Sequence, residues 1–271
     1  MKSWIGRTQE THDEIAPGTA RRAWALLDLP GAPPPILPAY FAALYFWDVS
    51  PQAALGPDGH PRTGDFLPPV ALPRRMLAGR RLRFPGGALP LGAPATRRSE
   101  ITAITPRQGR SGSMVFVTIT HSVECMGEVA AIEEQDVVYR EAMGGPSAAT
   151  PAPDNAVWAE TLTPNPTMLF RYSAITFNGH RIHYDADYAR DAEGYPGLVV
   201  NGGLTILLLL RAALRENPGG ILAGYEARTM RPLFCGHPLT LAAAAAQGAT
   251  QIAWAADADG AMALALKLFW A

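Results

Sequence analysis

Residues Leu204 to Leu214 constrain the fold most strongly. Leu204, Ile206, Leu207, Leu208, Leu209, Leu210 and Leu214 cover nearly every side of a helix, and a helix that is apolar all round must be enclosed by other structure. Its longest aliphatic run, Ile206 to Leu210, is followed at once by Arg211 and is far too short to span a bilayer. Asn217-Pro218-Gly219-Gly220 stops the helix near Arg215. Beyond it, Leu241 to Ala246 and Ala261 to Leu266 are rich in Ala and Leu, which favours helix on propensity alone. Asp259-Gly260, and less clearly Gln247-Gly248, are placed as turns between apolar runs, which favours hairpins. Periodicity does not decide between the two. A buried helix followed by hairpin-linked segments predicts a sheet wrapped around that helix, an α+β arrangement.

A break divides the chain. Gly144 to Asn155 is small, polar and rich in Pro and Gly, and reads as part of a linker over residues 144–157. The pieces on either side, 1–143 and 158–271, are each long enough for a small domain. In the first piece, Thr19 to Leu27 reads as a helix ended by Pro30-Gly31, and Pro51 to Pro73 as irregular. Met114 to Val123 reads as a strand with Val115, Val117, Ile119 and Val123 on one face; Val137-Val138-Tyr139 ends another.

Composition narrows the function classes. Nearly half the chain is apolar (48%), which supports a sizeable core, and the formal net charge of −1 gives no overall basic character for nucleic acid. Cys125 and Cys235 fit neither a disulfide framework nor a zinc pattern, and the N-terminus lacks the apolar core of a signal peptide, so a reducing, cytoplasmic setting with no membrane span is expected.

Chemistry concentrates between Phe170 and Thr205. Asn178, His180, His183, Asp185 and Asp187 fall within ten residues of an otherwise apolar chain. An imidazole accepts a proton near neutral pH and can activate water. Asn178 can orient a water or a carbonyl. The local alternatives are plainer. Asp185 suits the cap of a following turn, and Asn201 suits the cap of the helix that starts near Leu204. His180 can simply support its loop. His180-x-x-His183 with Asp185 is also conceivable as a metal site, but Gly179 and its neighbours suggest a loop and no other cluster supplies ligands, so no metal is expected. His12, His60, His121 and His237 show no partner pattern and read as structural or surface groups. Arg74, Arg75, Arg80, Arg81 and Arg83 form the densest basic stretch; a solvated strand edge is the simpler reading, and contact with the phosphates of a ligand the functional one.

The segment Phe-Asn-Gly-His-Arg-Ile-His-Tyr-Asp, Phe177 to Asp185, resembles the Asp-x-Asn-Pro-x-His-x-Asp motif of the R-specific enoyl-CoA hydratases, the MaoC-like branch of the hot-dog superfamily. Asn178 stands at the motif's first Asp, His180 at its Asn, Arg181 at its Pro, His183 at its His and Asp185 at its last Asp. Downstream, Asn201-Gly202-Gly203-Leu204-Thr205 stands where that family has His-Gly-x-Leu-Thr. This variant is similar to a subgroup of type 2 hydroxyacyl-thioester dehydratases and mesaconyl-C4-CoA (3-methylfumaryl-CoA) hydratases. Ser3 to Arg7, Gly64 to Met76 and Ala78 to Phe84 extend the likeness.

The resemblance implies a double hot-dog, two antiparallel sheets each wrapped around a central helix. The N-terminal module would assist acyl and CoA binding without catalysing, and the C-terminal module would carry the reaction. The substrate would be an acyl-CoA thioester, with no cofactor, and the chain a monomer or homodimer. His183 would activate water, Asn178 hold it, and His180 serve as partner or proton donor. Backbone amides at Gly202 and Gly203 would meet the thioester oxygen, and Arg171, Tyr172, Arg181, Asn201 and Asp185 would line the substrate. A fatty or polyketide 3-hydroxyacyl-thioester dehydratase is the rival enzyme. The Asn replacements at 178 and 201 leave open a non-catalytic acyl-CoA-binding protein.

Overall fold

The computed structural model describes residues 1–109, 112–141 and 149–271. Linker residues 144–148 lie outside that set. The chain forms two compact units. Unit 1 comprises Met1–Ala16, Pro35–Phe46 and Arg62–Ala148; unit 2 comprises Pro17–Pro34, Trp47–Pro61 and Ala149–Ala271. Two stretches that precede the linker, 17–34 and 47–61, thus belong to the second unit.

Unit 1 carries five strands: β1 (Thr8–Glu14), β2 (Arg74–Arg83), β3 (Pro94–Gly109), β4 (Gly112–Cys125) and β5 (Glu128–Arg140). They pair antiparallel in the order β1-β3-β4-β5-β2. The alternation seen in the sequence appears as burial: Val117, Ile119, His121, Val123 and Cys125 of β4 are buried and their neighbours are not. His121 therefore lies on the apolar side, with Ser99 Oγ 2.7 Å from Nδ1 and Gln135 Oε1 3.2 Å from Nε2. Arg80 and Arg81 of β2 are held by carboxylates of β5, Arg80 by Glu133 at 2.6 Å and Arg81 by Glu134 and Asp136 at 2.8 and 2.7 Å. These two guanidinium groups are committed within the sheet. Among the described residues unit 1 has no α-helix, only short turns of 3-10 helix; the helix read near Thr19 is α1 (Pro17–Leu26), and it falls in unit 2.

Unit 2 contains α1, α2 (Pro166–Ile175), α3 (Ala186–Asp191) and α4 (Gly202–Glu216), with β6 (Ala156–Leu162), β7 (Leu222–Thr229), β8 (Leu239–Ala244), β9 (Thr250–Ala256) and β10 (Met262–Trp270). The strands pair antiparallel in the order β7-β10-β9-β8-β6. α4 is the enclosed helix and packs against β8, β9 and β10. Leu204, Ile206, Leu207, Leu208, Leu209 and Leu210 are all buried, each contributing about 2 kcal/mol of apolar burial. The contested Ala- and Leu-rich runs are strands, because burial against α4 outweighs helix propensity. Asp257 forms the β9–β10 turn, its Oδ1 accepting from the amides of Asp259 and Ala261 at 3.1 and 2.9 Å. Glu160 of β6 bridges Arg211 and Arg215 of α4, and so fixes the helix to the sheet. Among the described residues no helix is long and apolar enough to cross a membrane.

Candidate active site

The site loop is built from local signals. Asn165 caps α2, its Oδ1 accepting from Met168 N at 2.9 Å, and Pro166 follows at the first helical position. The helix ends at Thr176, and Phe177 turns the chain through a left-handed φ of 48°. Asn178 then closes a tight loop: its amide donates to Ser173 O at 2.9 Å, and its Oδ1 accepts from His180 N at 3.0 Å. With the carbonyl end occupied, the NH2 end of Asn178 is the one that can meet a ligand. Arg181 to His183 form one turn of 3-10 helix, and Asp185 caps α3 by accepting from Tyr188 N at 2.9 Å. Ile182, Ala189, Tyr195 and Val199 make a small core under the loop.

His183 is 8% exposed, and its Nδ1 lies 2.7 Å from Val199 O. A carbonyl only accepts, so Nδ1 carries the proton and Nε2 presents a lone pair. Burial drives its pKa down to about 4; the Val199 bond works the other way, and the charge of His60 adds to the lowering. The ring is therefore neutral at physiological pH, the form a base requires. Val199 is two residues before Asn201, so the same bond ties His183 to the entrance of α4.

That entrance is tight. A Cβ on Gly203 would overlap the hydroxyl of Tyr172, so only glycine lets α2 and α4 approach this closely. Asn201 occupies the cap position, yet its side chain makes no capping bond. It is 2% exposed; Nδ2 reaches Ser173 Oγ at 3.4 Å while Oδ1 is buried without a partner. An amide can be placed either way round, so one end of Asn201 is left for a ligand. The first-turn amides of Gly202 and Gly203 have no intrahelical partner by position, and they add a positive dipole end.

Other expected residues have different occupations. Arg181 is committed: it pairs with Asp185 at 2.7 Å, donates to Pro57 O at 3.0 Å and lies 4.1 Å over the Tyr188 ring. Asp185 therefore caps and holds Arg181, while His183 is oriented by Val199. Arg171 is exposed on α2, and Tyr172 is buried against Gly203.

The structure adds Asp58 and His60 to the site. The strap Trp47–Pro61 brings Asp58 and His60 to the histidine loop. Arg181 N donates to Asp58 O at 2.9 Å, and Gly59 lies so close to Gly179 that a Cβ at 59 would overlap its carbonyl oxygen. The His60 ring is 4.0 Å from the His180 ring, which is 5.4 Å from His183, edge on. Asp58 Oδ2 lies 2.9 Å from His60 Nδ1. Burial raises the Asp58 pKa, but the bond and charge of His60, with His180, more than offset it and bring it to about 2. Asp58, His60 and His180 each offer a ligand atom within 4.8 Å of the others, so a cation could be met here. The available signal was local: Gly56 to Pro61 is a turn-forming string with an acid two residues before a histidine.

The comparisons with known proteins agree with this geometry. The model for hydroxyacyl-thioester dehydratase type 2 matches residues 41–235, which include the strap, the histidine loop and all of α4. The chain is 42% identical over 247 residues to mesaconyl-C(4)-CoA hydratase of Chloroflexus aurantiacus, covering 89% of this chain and 88% of that protein. A MaoC-like dehydratase from Phytophthora capsici superposes with a TM-score of 0.73 at 12% identity, over 98% of this chain and 96% of its own. A Mycobacterium tuberculosis protein with a double hotdog fold gives 0.59 at 14% identity, over 98% and 96%. These two likenesses speak for the hot-dog fold alone. The family model and the Chloroflexus relative carry the assignment: the chain belongs to the type 2 hydroxyacyl-thioester dehydratase family and is a hydro-lyase.

Proposed function

We propose that this chain hydrates mesaconyl-C4-CoA or a similar short, branched dicarboxylyl-CoA, and that unit 2 is the catalytic hot-dog module while unit 1 assists acyl and CoA binding. The observation that carries the reading is His183, a buried neutral imidazole whose Nε2 lone pair is fixed by the Val199 bond beside the N-terminus of α4. In hydration, Nε2 takes a proton from water as the oxygen attacks the β-carbon. The NH2 group of Asn178 holds that water. Charge builds on the thioester oxygen, where the Gly202 and Gly203 amides and the spare end of Asn201 receive it. The reaction moves a proton and a hydroxide with no change of redox state, so it calls for no nicotinamide or flavin.

The acyl preference follows the 42% identical relative. A free carboxylate on the substrate needs a cation. Arg181 is held by Asp185 and Pro57, which leaves Arg171 of α2 as the other candidate. The test is turnover of mesaconyl-C4-CoA, itaconyl-CoA, crotonyl-CoA and a long 2-enoyl-CoA, followed by loss of the conjugated thioester absorbance. The dicarboxylyl esters are expected to give the highest kcat/KM. Preference for the long chain would move the assignment to fatty-acyl dehydration. Tight binding of every ester without turnover would make the chain an acyl-CoA-binding protein.

A further inference from the structure

Hydration needs both a base and an acid, and His183 supplies only one of them. Asn178 does not titrate. Asp185 is occupied by the cap of α3 and by Arg181. Tyr184 donates to Gly179 O at 3.0 Å, and Tyr188 lies 3.4 Å from Glu193. His180 is the remaining titratable group of the motif, and the strap sets a second histidine, bound to a carboxylate, beside it. Resting on the hydratase reading above, we propose that His60 of the strap is the acid, delivering the proton to the α-carbon, with Asp58 as its positioning residue.

Three observations support the assignment. The carboxylate of Asp58 is 2.9 Å from Nδ1, so Nδ1 carries a proton and Nε2 is the working end of the ring. The strap is clamped to the histidine loop by Arg181 N to Asp58 O, by Arg181 Nη1 to Pro57 O and by the Gly59–Gly179 contact, so its geometry is fixed before substrate arrives. The His180 ring has the His60 ring 4.0 Å away and the His183 ring 5.4 Å away. The His60 and His183 rings have opposite surroundings, one against a carboxylate and the other buried against a carbonyl; such a contrast separates acid from base.

The electron count closes. His183 Nε2 takes a water proton, and the water oxygen bonds to the β-carbon. The C=C pair shifts to give an enolate on the thioester. His60 Nε2–H then gives its proton to the α-carbon, whose enolate pair forms the new C–H bond. His183 is left as imidazolium and His60 neutral, and net transfer of one proton from His183 to His60 resets the site.

The experiment uses the full chain with mesaconyl-C4-CoA. His60→Gln is expected to lower kcat by about 100-fold or more, with KM within about threefold. Asp58→Asn is expected to lower kcat less, by about tenfold, with KM within about threefold, and Asp58→Glu to restore part of the loss. A purely structural role would raise KM or lower the melting temperature, and Asp58→Glu would not restore kcat. Retention of activity in His60→Gln alongside loss in His183→Ala would overturn the inference and leave the hydratase reading standing. Absence of turnover by the wild-type chain on every enoyl-CoA would remove both. Activity lost to a chelator and restored by zinc would make Asp58, His60 and His180 cation ligands and would also overturn the inference.

Discussion

The Nδ1 of His183 meets the carbonyl oxygen of Val199 at 2.7 Å, joining the histidine loop to the strand-like segment that leads into α4. One hydrogen bond thereby fixes the tautomer of the ring, its orientation and its placement near the helix N-terminus. His183→Ala is expected to lower kcat by about 1,000-fold, within the range of a lost acid–base group. The lost bond should cost only about 1 kcal/mol of stability. Steady-state kinetics with a thermal melt on the same sample separates the two effects.

Acid should destabilise the fold in a defined window. His183 and His121 are both buried and both titrate near 4. For His121 burial dominates, with Arg97 and Arg80 adding to the lowering and Glu133 and Gln135 opposing it. A histidine depressed on folding binds its proton more readily when unfolded. Its contribution is therefore intact above the unfolded value of 6.5 and is lost as pH falls from there to about 4. Each ring accounts for on the order of 3 kcal/mol. Urea denaturation across that range should show falling stability, and His121→Gln should flatten the fall. Asp58 acts in a lower window, from 3.8 to about 2.

The α2–α4 contact gives a prediction with a built-in rescue. Gly203→Ala would push a Cβ into the Tyr172 hydroxyl. The expected cost is about 2 kcal/mol, typical of overpacking, together with reduced turnover because the amides of the first turn move. Tyr172→Phe removes the clashing oxygen, and the double variant should recover part of the loss. A double-mutant cycle on stability measures it.

How much of this was legible depended on how local each cause is. The enclosed helix α4, the alternation of β4 and the Asp185 cap all follow from residues within a few positions of one another. The runs around Leu241 and Ala263 were ambiguous, because their strand character comes from burial against α4, a contact no local window contains. β1 leaves no signal in the sequence, because its side chains are nearly all exposed and carry no apolar rhythm. Asn201 sits at the cap position yet makes no side-chain cap, since its amide turns inward toward Ser173. His60 has its carboxylate partner two residues away, but its neighbour His180 arrives only across a loop closure that no local window contains.

Glu160 tests how far the position of α4 depends on the sheet. Its carboxylate meets both Arg211 and Arg215 and is only 20% exposed. Glu160→Gln leaves Arg211 without its countercharge and is expected to cost about 2 kcal/mol. The kcat should change less than threefold, because the contact lies beyond the first turn of the helix. Melting temperature and kcat together check this.

The most direct test of the account is the source of the oxygen added at the β-carbon. Mesaconyl-C4-CoA is incubated in heavy-oxygen water with wild-type chain and with His183→Ala, and the product is analysed by mass spectrometry. The account predicts a hydroxyacyl-CoA carrying solvent oxygen on the β-carbon, formed by the wild type and almost absent with the variant. Equal labelling by a folded His183→Ala protein, or an unchanged enoyl-CoA with the wild type, would contradict it.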